Sequence, residues 1–244
     1  MLRGLNMDRQ LLISSLIDYA GRNHSSTEIV ATDSSGLVHR TNWAEIRSRS
    51  MRLSSALLQQ GIHPGDRVAT IAWNDHRHLE LYYSITGIGS VLHTINPRLR
   101  EQQIAWILNH AEDQIVFIDP DFLPLAEAVA TEALSVRRWV VLAEELPATS
   151  LENAVAYEDL IAGSNPLQEW PLLDEWSAAT LCYTSGTTRQ TNSSRVRASL
   201  RERSTPRCCS PFLRWSATCS STSVSSQLAA RTRYTSCTRS STCF

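Results

Sequence analysis

The sequence predicts an α/β fold: a mostly parallel sheet flanked by helices. Three observations carry that expectation. Apolar runs of strand length recur along the chain, segments with helical spacing alternate with them, and the connections are short and marked by Gly, Pro, Asn and Asp.

Residues 11–22 place apolar side chains at helical spacing, and residues 28–41 read as two short strands about the turn Asp33-Ser34-Ser35-Gly36. A helix follows. Asn42 stands as its N-cap with Glu45 three residues on, like a capping box, and Trp43, Ile46, Leu53, Leu57 and Leu58 form an apolar stripe that ends at Gly61. The turn His63-Pro64-Gly65-Asp66 feeds Val68 to Trp73, a run with the length of a buried strand. The pattern then repeats: helix near 76–88, strand near 91–95, helix near 100–111, strand 115–118, helix near 121–134 and strand 139–142. A short helix over 157–162 and a linker with Pro166 and Pro171 lead to 178–183, read as another buried strand. It runs into Thr184-Ser185-Gly186-Thr187-Thr188.

Beyond that point the rhythm stops, which divides the chain into a domain over 1–188 and a tail over 189–244. The first part holds 13 Arg against 23 acidic residues, the second 10 Arg against Glu202 alone. The tail has 14 Ser and 8 Thr but no Gly or Ile, too little apolar surface to offset chain entropy, so disorder is expected there.

Composition narrows the function. With 42% hydrophobic residues, 19% charged residues and a net charge of -1, the whole chain has no global pull toward nucleic acid or membrane. No apolar run approaches the roughly 18 to 20 residues of a membrane span, and the start lacks a secretory pattern, so a cytoplasmic protein is expected. Of six cysteines only Cys182 precedes the tail, there is no CxxC spacing, and no histidine follows His110, which argues against a disulfide framework or a zinc site. All 23 basic residues are arginine, so chemistry that needs a lysine of this chain is excluded.

The segment with most chemical content is the strand followed by Thr184, Ser185, Gly186, Thr187 and Thr188. Small hydroxyl residues around a glycine let backbone N–H and side-chain O–H donors approach phosphate oxygens closely, although a plain polar loop has the same composition. The ending of a Walker A loop is absent. Gly87-Ile88-Gly89 begins like a dinucleotide fingerprint but lies within helical spacing, which favours helix packing. His76 and His78 are two apart, unsuited to sharing a metal on a helix, and read as surface or helix-start residues. Asp119/Asp121 and Glu144/Glu145 sit beside loop signals and read as solvated, and Asn96-Pro97 reads as a strand-ending turn.

Several segments together resemble a known family. Trp43 with the helix to Gln60, GIHPGDRVATIAWNDHRHLELYYSITGIGSVLHTINPRL (61–99), NHAEDQIVFID (109–119), AYEDLI (156–161) and LCYTSGTT (181–188) are similar to the N-terminal half of acyl-CoA synthetases of the adenylate-forming, AMP-binding superfamily. Within it the chain looks closest to the medium-chain fatty acyl-CoA ligase group, which includes relatives acting on short sulfur-containing acids. The resemblance implies an incomplete N-terminal domain of an adenylate-forming enzyme and a ligase reaction. A fatty acid or similar small carboxylic acid reacts with Mg-ATP to an acyl adenylate, and the thiol of coenzyme A then displaces AMP. It implies ATP, Mg2+ and coenzyme A as cofactors. It assigns Thr184, Ser185, Gly186, Thr187 and Thr188 to the ATP β and γ phosphates, and no catalytic or metal-binding residue in this chain.

The departures from the family matter as much. Where the family's loop continues with glycine, a variable residue, proline, lysine and glycine, this chain reads Arg189-Gln190-Thr191-Asn192-Ser193. The motifs that the family places later are also absent. Such a break inside a motif, followed by a Ser/Arg/Thr/Cys-rich stretch, is what GC-rich DNA read in a wrong frame produces. The expectation is a truncated, frameshifted acyl-CoA synthetase that is inactive as written. The alternative is a non-catalytic nucleotide- or RNA-binding module whose basic disordered tail attracts phosphates without specific nucleic-acid recognition.

Overall fold

The computed structural model describes residues 9–183. Helix α1 (Ile13–Asn23) turns Ile17 and Ala20 inward and lies on α2 (Trp43–Gln59), where Trp43 and Ile46 complete the contact. Between them β1 (Glu28–Thr32) and β2 (Val38–Asn42) form a separate antiparallel hairpin. The Asp33 carboxylate closes its turn by accepting the amides of Ser35 and Leu37, and Gly36 supplies the left-handed φ of +89°. At the start of α2 the Asn42 side chain accepts the Glu45 amide at 3.0 Å. Glu45 does not return the bond to the Asn42 backbone, because its carboxylate accepts the Thr41 hydroxyl instead. The expected capping box is therefore half formed.

Six strands make the main sheet: β3 (Arg67–Ile71), β4 (Val91–Thr94), β5 (Ile115–Ile118), β6 (Arg138–Val141), β7 (Ala154–Ala156) and β8 (Thr180–Cys182). All pair in parallel, in the order β7-β6-β5-β3-β4-β8. Parallel strands need crossover connections: α3 (His76–Gly87) follows β3, α4 (Glu101–Ala111) follows β4, α5 (Leu123–Ala130) follows β5 and α6 (Tyr157–Ala162) follows β7, while residues 142–153 join β6 to β7 without a helix.

Alternation along the strands separates two cores. Val68, Leu92, Phe117 and Val140 face Leu53 and Leu57 of α2, Leu81 and Ile85 of α3, and Tyr157 of α6. Ala69, Val116, Ile118 and Val141 face Ile104 and Leu108 of α4 and Ala126 and Val129 of α5. Both faces are covered, which is why these strands read as continuous apolar runs.

Three elements depart from the sequence reading. The helix expected over 121–134 is a 3-10 turn (Pro120–Phe122) followed by the shorter α5, whose second residue is Pro124. Pro124 has no N–H to donate back to residue 120, so the α ladder begins only at the proline-tolerant first turn. Strand β7 was not anticipated, since three residues give no readable alternation. Strand β8 is not buried: Thr180 and Leu181 are half-exposed and Cys182 is exposed. It is an edge strand, paired only with β4 among the described residues.

Residues 164–177 carry the chain from α6 back across the helices to β8. Trp170 packs on Gly87 and donates from Nε1 to Asp18 at 3.2 Å, and Leu173 covers Gly89. The Gly87-Ile88-Gly89 segment is thus a packing surface, as helical spacing suggested.

Candidate functional site

The carboxyl ends of the parallel strands define the functional edge. After β3 the chain moves outward to β4, then crosses back to β5 on the other side of β3. Such a reversal opens a crevice at the carboxyl edge, the usual ligand position in open α/β sheets.

A cleft of about 460 Å³ lies on this edge, lined among others by His39, Arg49, Asp75, His76, Arg77 and Glu158. Arg49 donates from Nε to Glu80 at 2.8 Å and grips Glu158 with both terminal nitrogens, at 3.0 and 2.7 Å. Arg77 reaches the same Glu158 at 3.4 Å. Burial pushes Glu80 up to about 6 against the pull of Arg49, and the Tyr157 hydroxyl donates to its second oxygen. Burial, followed by the Glu80 charge, raises Tyr157 well above its usual value. The guanidiniums are occupied by the cleft's own carboxylates, so the network ties α2, α3 and α6 together rather than presenting free positive charge.

His76 and His78 have separate environments, as their spacing required. His76 begins α3 and stacks on His39 with ring centroids 3.6 Å apart, while His78 Nε2 lies 3.2 Å from the Thr70 hydroxyl. His76 is a helix-start residue, but it is buried rather than at the surface, and burial lowers it to about 4. Asp119 is also less solvated than expected. It is 9% exposed, caps the 3-10 turn by accepting the Asp121 amide at 3.0 Å, and is raised by burial.

At the other side of the sheet β8 delivers the chain to the proposed phosphate loop. Thr184, Ser185, Gly186, Thr187 and Thr188 lie outside the described residues; Tyr183 precedes them directly. Thr94 of β4 pairs with Cys182, and the described chain ends at Tyr183, past the carboxyl end of β8. Next to Tyr183, His93 and Asp113 are both fully buried, with Nδ1 and Oδ2 2.7 Å apart. Burial raises Asp113 against the opposing pull of His93. Sequence reasoning missed this pair and Glu80; the available signal was a titratable residue inside a strand-length run, His93 in Val91 to Ile95. Among the described residues there is no group of three or more His, Cys, Asp or Glu that could hold a metal ion. None of the described helices is long and apolar enough to cross a membrane.

Comparison with known proteins agrees with this geometry. The family model for the AMP-binding enzyme matches residues 18–189. Over 187 residues the chain is 46% identical to a 3-methylmercaptopropionyl-CoA ligase of Ruegeria lacuscaerulensis, covering 76% of this chain and 35% of that one. It is 45% identical to a medium-chain-fatty-acid–CoA ligase of Ectopseudomonas oleovorans, covering 76% of this chain and 34% of that one. The chain spans about a third of the length of these relatives. The crystal structure of an anthranilate CoA ligase in complex with anthranoyl-AMP shares the fold, with a TM-score of 0.62 and 19% identity over 71% of this chain and 32% of that one. With the family model matched over residues 18–189, the chain belongs to the AMP-binding enzyme family.

Proposed function

We propose that the chain is the N-terminal part of an AMP-forming acyl-CoA ligase of the fatty-acid-activating kind, cut off within its ATP phosphate loop and inactive as written. One observation carries this reading: identity of 45 to 46% to CoA ligases over 187 residues, with a family match that stops at residue 189. Residues 1–188 are the truncated AMP-binding domain, and 189–244 are an out-of-frame continuation. Thr184, Ser185, Gly186, Thr187 and Thr188 would surround the β and γ phosphates of ATP with N–H and O–H donors. ATP supplies the adenylyl group that turns a carboxylate oxygen into a leaving group, Mg2+ offsets phosphate charge, and coenzyme A receives the acyl group. The names of the relatives favour a medium-chain fatty acid or 3-methylmercaptopropionate as the acid. The alternative of an RNA-binding module gains no support, since both relatives are CoA ligases.

The test compares the chain as written with a version whose frame is restored after Thr188. Each is supplied with Mg-ATP, coenzyme A and either acid, and AMP and CoA thioester are measured. The restored enzyme is expected to form both products and the chain as written neither. Turnover by the chain as written, or none by the restored enzyme, would sink the reading.

A further inference from the structure

We infer that the β1–β2 hairpin is an acid-released flap over the cleft, latched to α3 by the stack of His39 on His76. The hairpin stands apart from the main sheet and is anchored at its base. There the buried Thr41 donates its hydroxyl to Glu45, the Ala44 amide donates to the Ser25 carbonyl, and Ile29 packs against the cluster of Ile17, Trp43 and Ile46. Residues 32–40 are all exposed, and among the described residues no hydrogen bond or ion pair ties 30–40 to a helix. A two-stranded hairpin without further support is marginal in water.

His39 supplies the hold that the rest of the hairpin lacks. It pairs with Ala31, and alternation puts it on the same, inward face as Ile29 and Thr41. Its ring lies on that of His76 with the planes 16° from parallel, and His76 beneath it is 9% exposed. Asp33, Leu37 and His39 are the hairpin's share of the cleft lining, so movement of the flap changes the width of the cleft. Desolvation opposes a proton on His76, Asp75 favours one, and His39, Arg77 and Arg49 oppose it. Asp33 in the turn, Glu144 after β6 and Glu158 on α6 line the same cleft. Imidazoles face to face at this distance repel strongly if both are cationic, and a single cation between them is cut off from water. Opening the flap returns His76 to water, so proton uptake and opening are coupled. The stack holds while both rings are neutral, and acid undoes it.

Amide hydrogen exchange of the full chain at pH 7 and pH 5 tests the inference, in the parent, His76→Phe and His39→Ala. Protection of amides in 30–40, corrected for the intrinsic pH dependence of exchange, is expected to fall about 20-fold in the parent over this range. That ratio follows from one group at about 4 in the closed flap and 6.5 in the open one. His76→Phe keeps a ring for His39 to stack on but takes up no proton, so its hairpin protection should be equal at both pH values. His39→Ala lacks the latch, and its hairpin should be poorly protected at both. Strands β3 and β5 should stay protected wherever the hairpin exchanges, which separates local opening from unfolding. Unchanged protection of the parent hairpin, or a fall that persists in His76→Phe, overturns the acid release. Hairpin protection in His39→Ala equal to the parent's overturns the latch. Joint loss of protection in the hairpin, β3 and β5 overturns both, since that is global unfolding. Should His76→Phe not fold, His76→Gln gives the same reading, because it also takes up no proton.

Discussion

A Cβ added to Gly87 would come within 2.3 Å of Trp170 Cζ3, closer than any relaxed contact allows. Gly87→Ala must displace an indole that also bonds Asp18, and the loss should exceed the helix-propensity gain of alanine, about 1 kcal/mol. Urea denaturation should show a net destabilisation of about 1 to 3 kcal/mol, as overpacking usually gives; unchanged stability would mean that Trp170 is not seated there. His76 makes a second residue-scale prediction. Burial holds it near 4 in the folded protein against 6.5 ordinarily, opposed by Asp75 and reinforced by His39, Arg77 and Arg49. As pH falls from 6.5 to 4 the unfolded chain takes up the proton first, so this contribution is present above 6.5 and lost toward 4. His78 is lowered in the same sense. Melting temperature followed over this range should fall less steeply in His76→Gln than in the parent, and parallel curves would refute the assignment. These residues were only partly legible. Spacing separated His76 from His78, but the His39 stack and the Asp113 partner of His93 come from chain segments 37 and 20 residues away, which local patterns do not encode.

Elements were legible where helical or strand period ran long enough. Helix α2 was readable because a cap, an apolar stripe and a terminal glycine agree, and Asn42 performs the capping expected of it. Asn42→Ala should cost about 1 kcal/mol, seen as a lower urea midpoint with unchanged slope. A midpoint equal to the parent's would show that the Thr41–Glu45 bond suffices to start the helix. Strands β7 and β8, three residues each, fell below what periodicity can reveal, and the apolar look of 178–183 suggested burial that an edge position does not provide. For α5 the shortfall lay in the proline pair Pro120 and Pro124, whose missing donors divide one expected helix into a 3-10 turn and a short α segment.

At the scale of the whole molecule, the described residues leave large apolar side chains uncovered. Leu172 is fully exposed, Trp176 is 85% exposed and Leu11 is 77% exposed, and a hydrogen bond from the Leu11 amide to Glu175 brings their segments together. The sheet also leaves β7 and β8 as edges among the described residues. Both features favour association. Light scattering after size exclusion should therefore show the chain as written to be oligomeric or aggregated, and a monodisperse monomer that unfolds cooperatively would contradict this. The most direct test of the central claim is to resequence the source DNA across codons 180–200 and translate all three forward frames. The account predicts one base gained or lost near codon 189, with the restored frame continuing through glycine, proline and lysine. Unchanged DNA, with no downstream frame resembling the AMP-binding enzyme family, would contradict it.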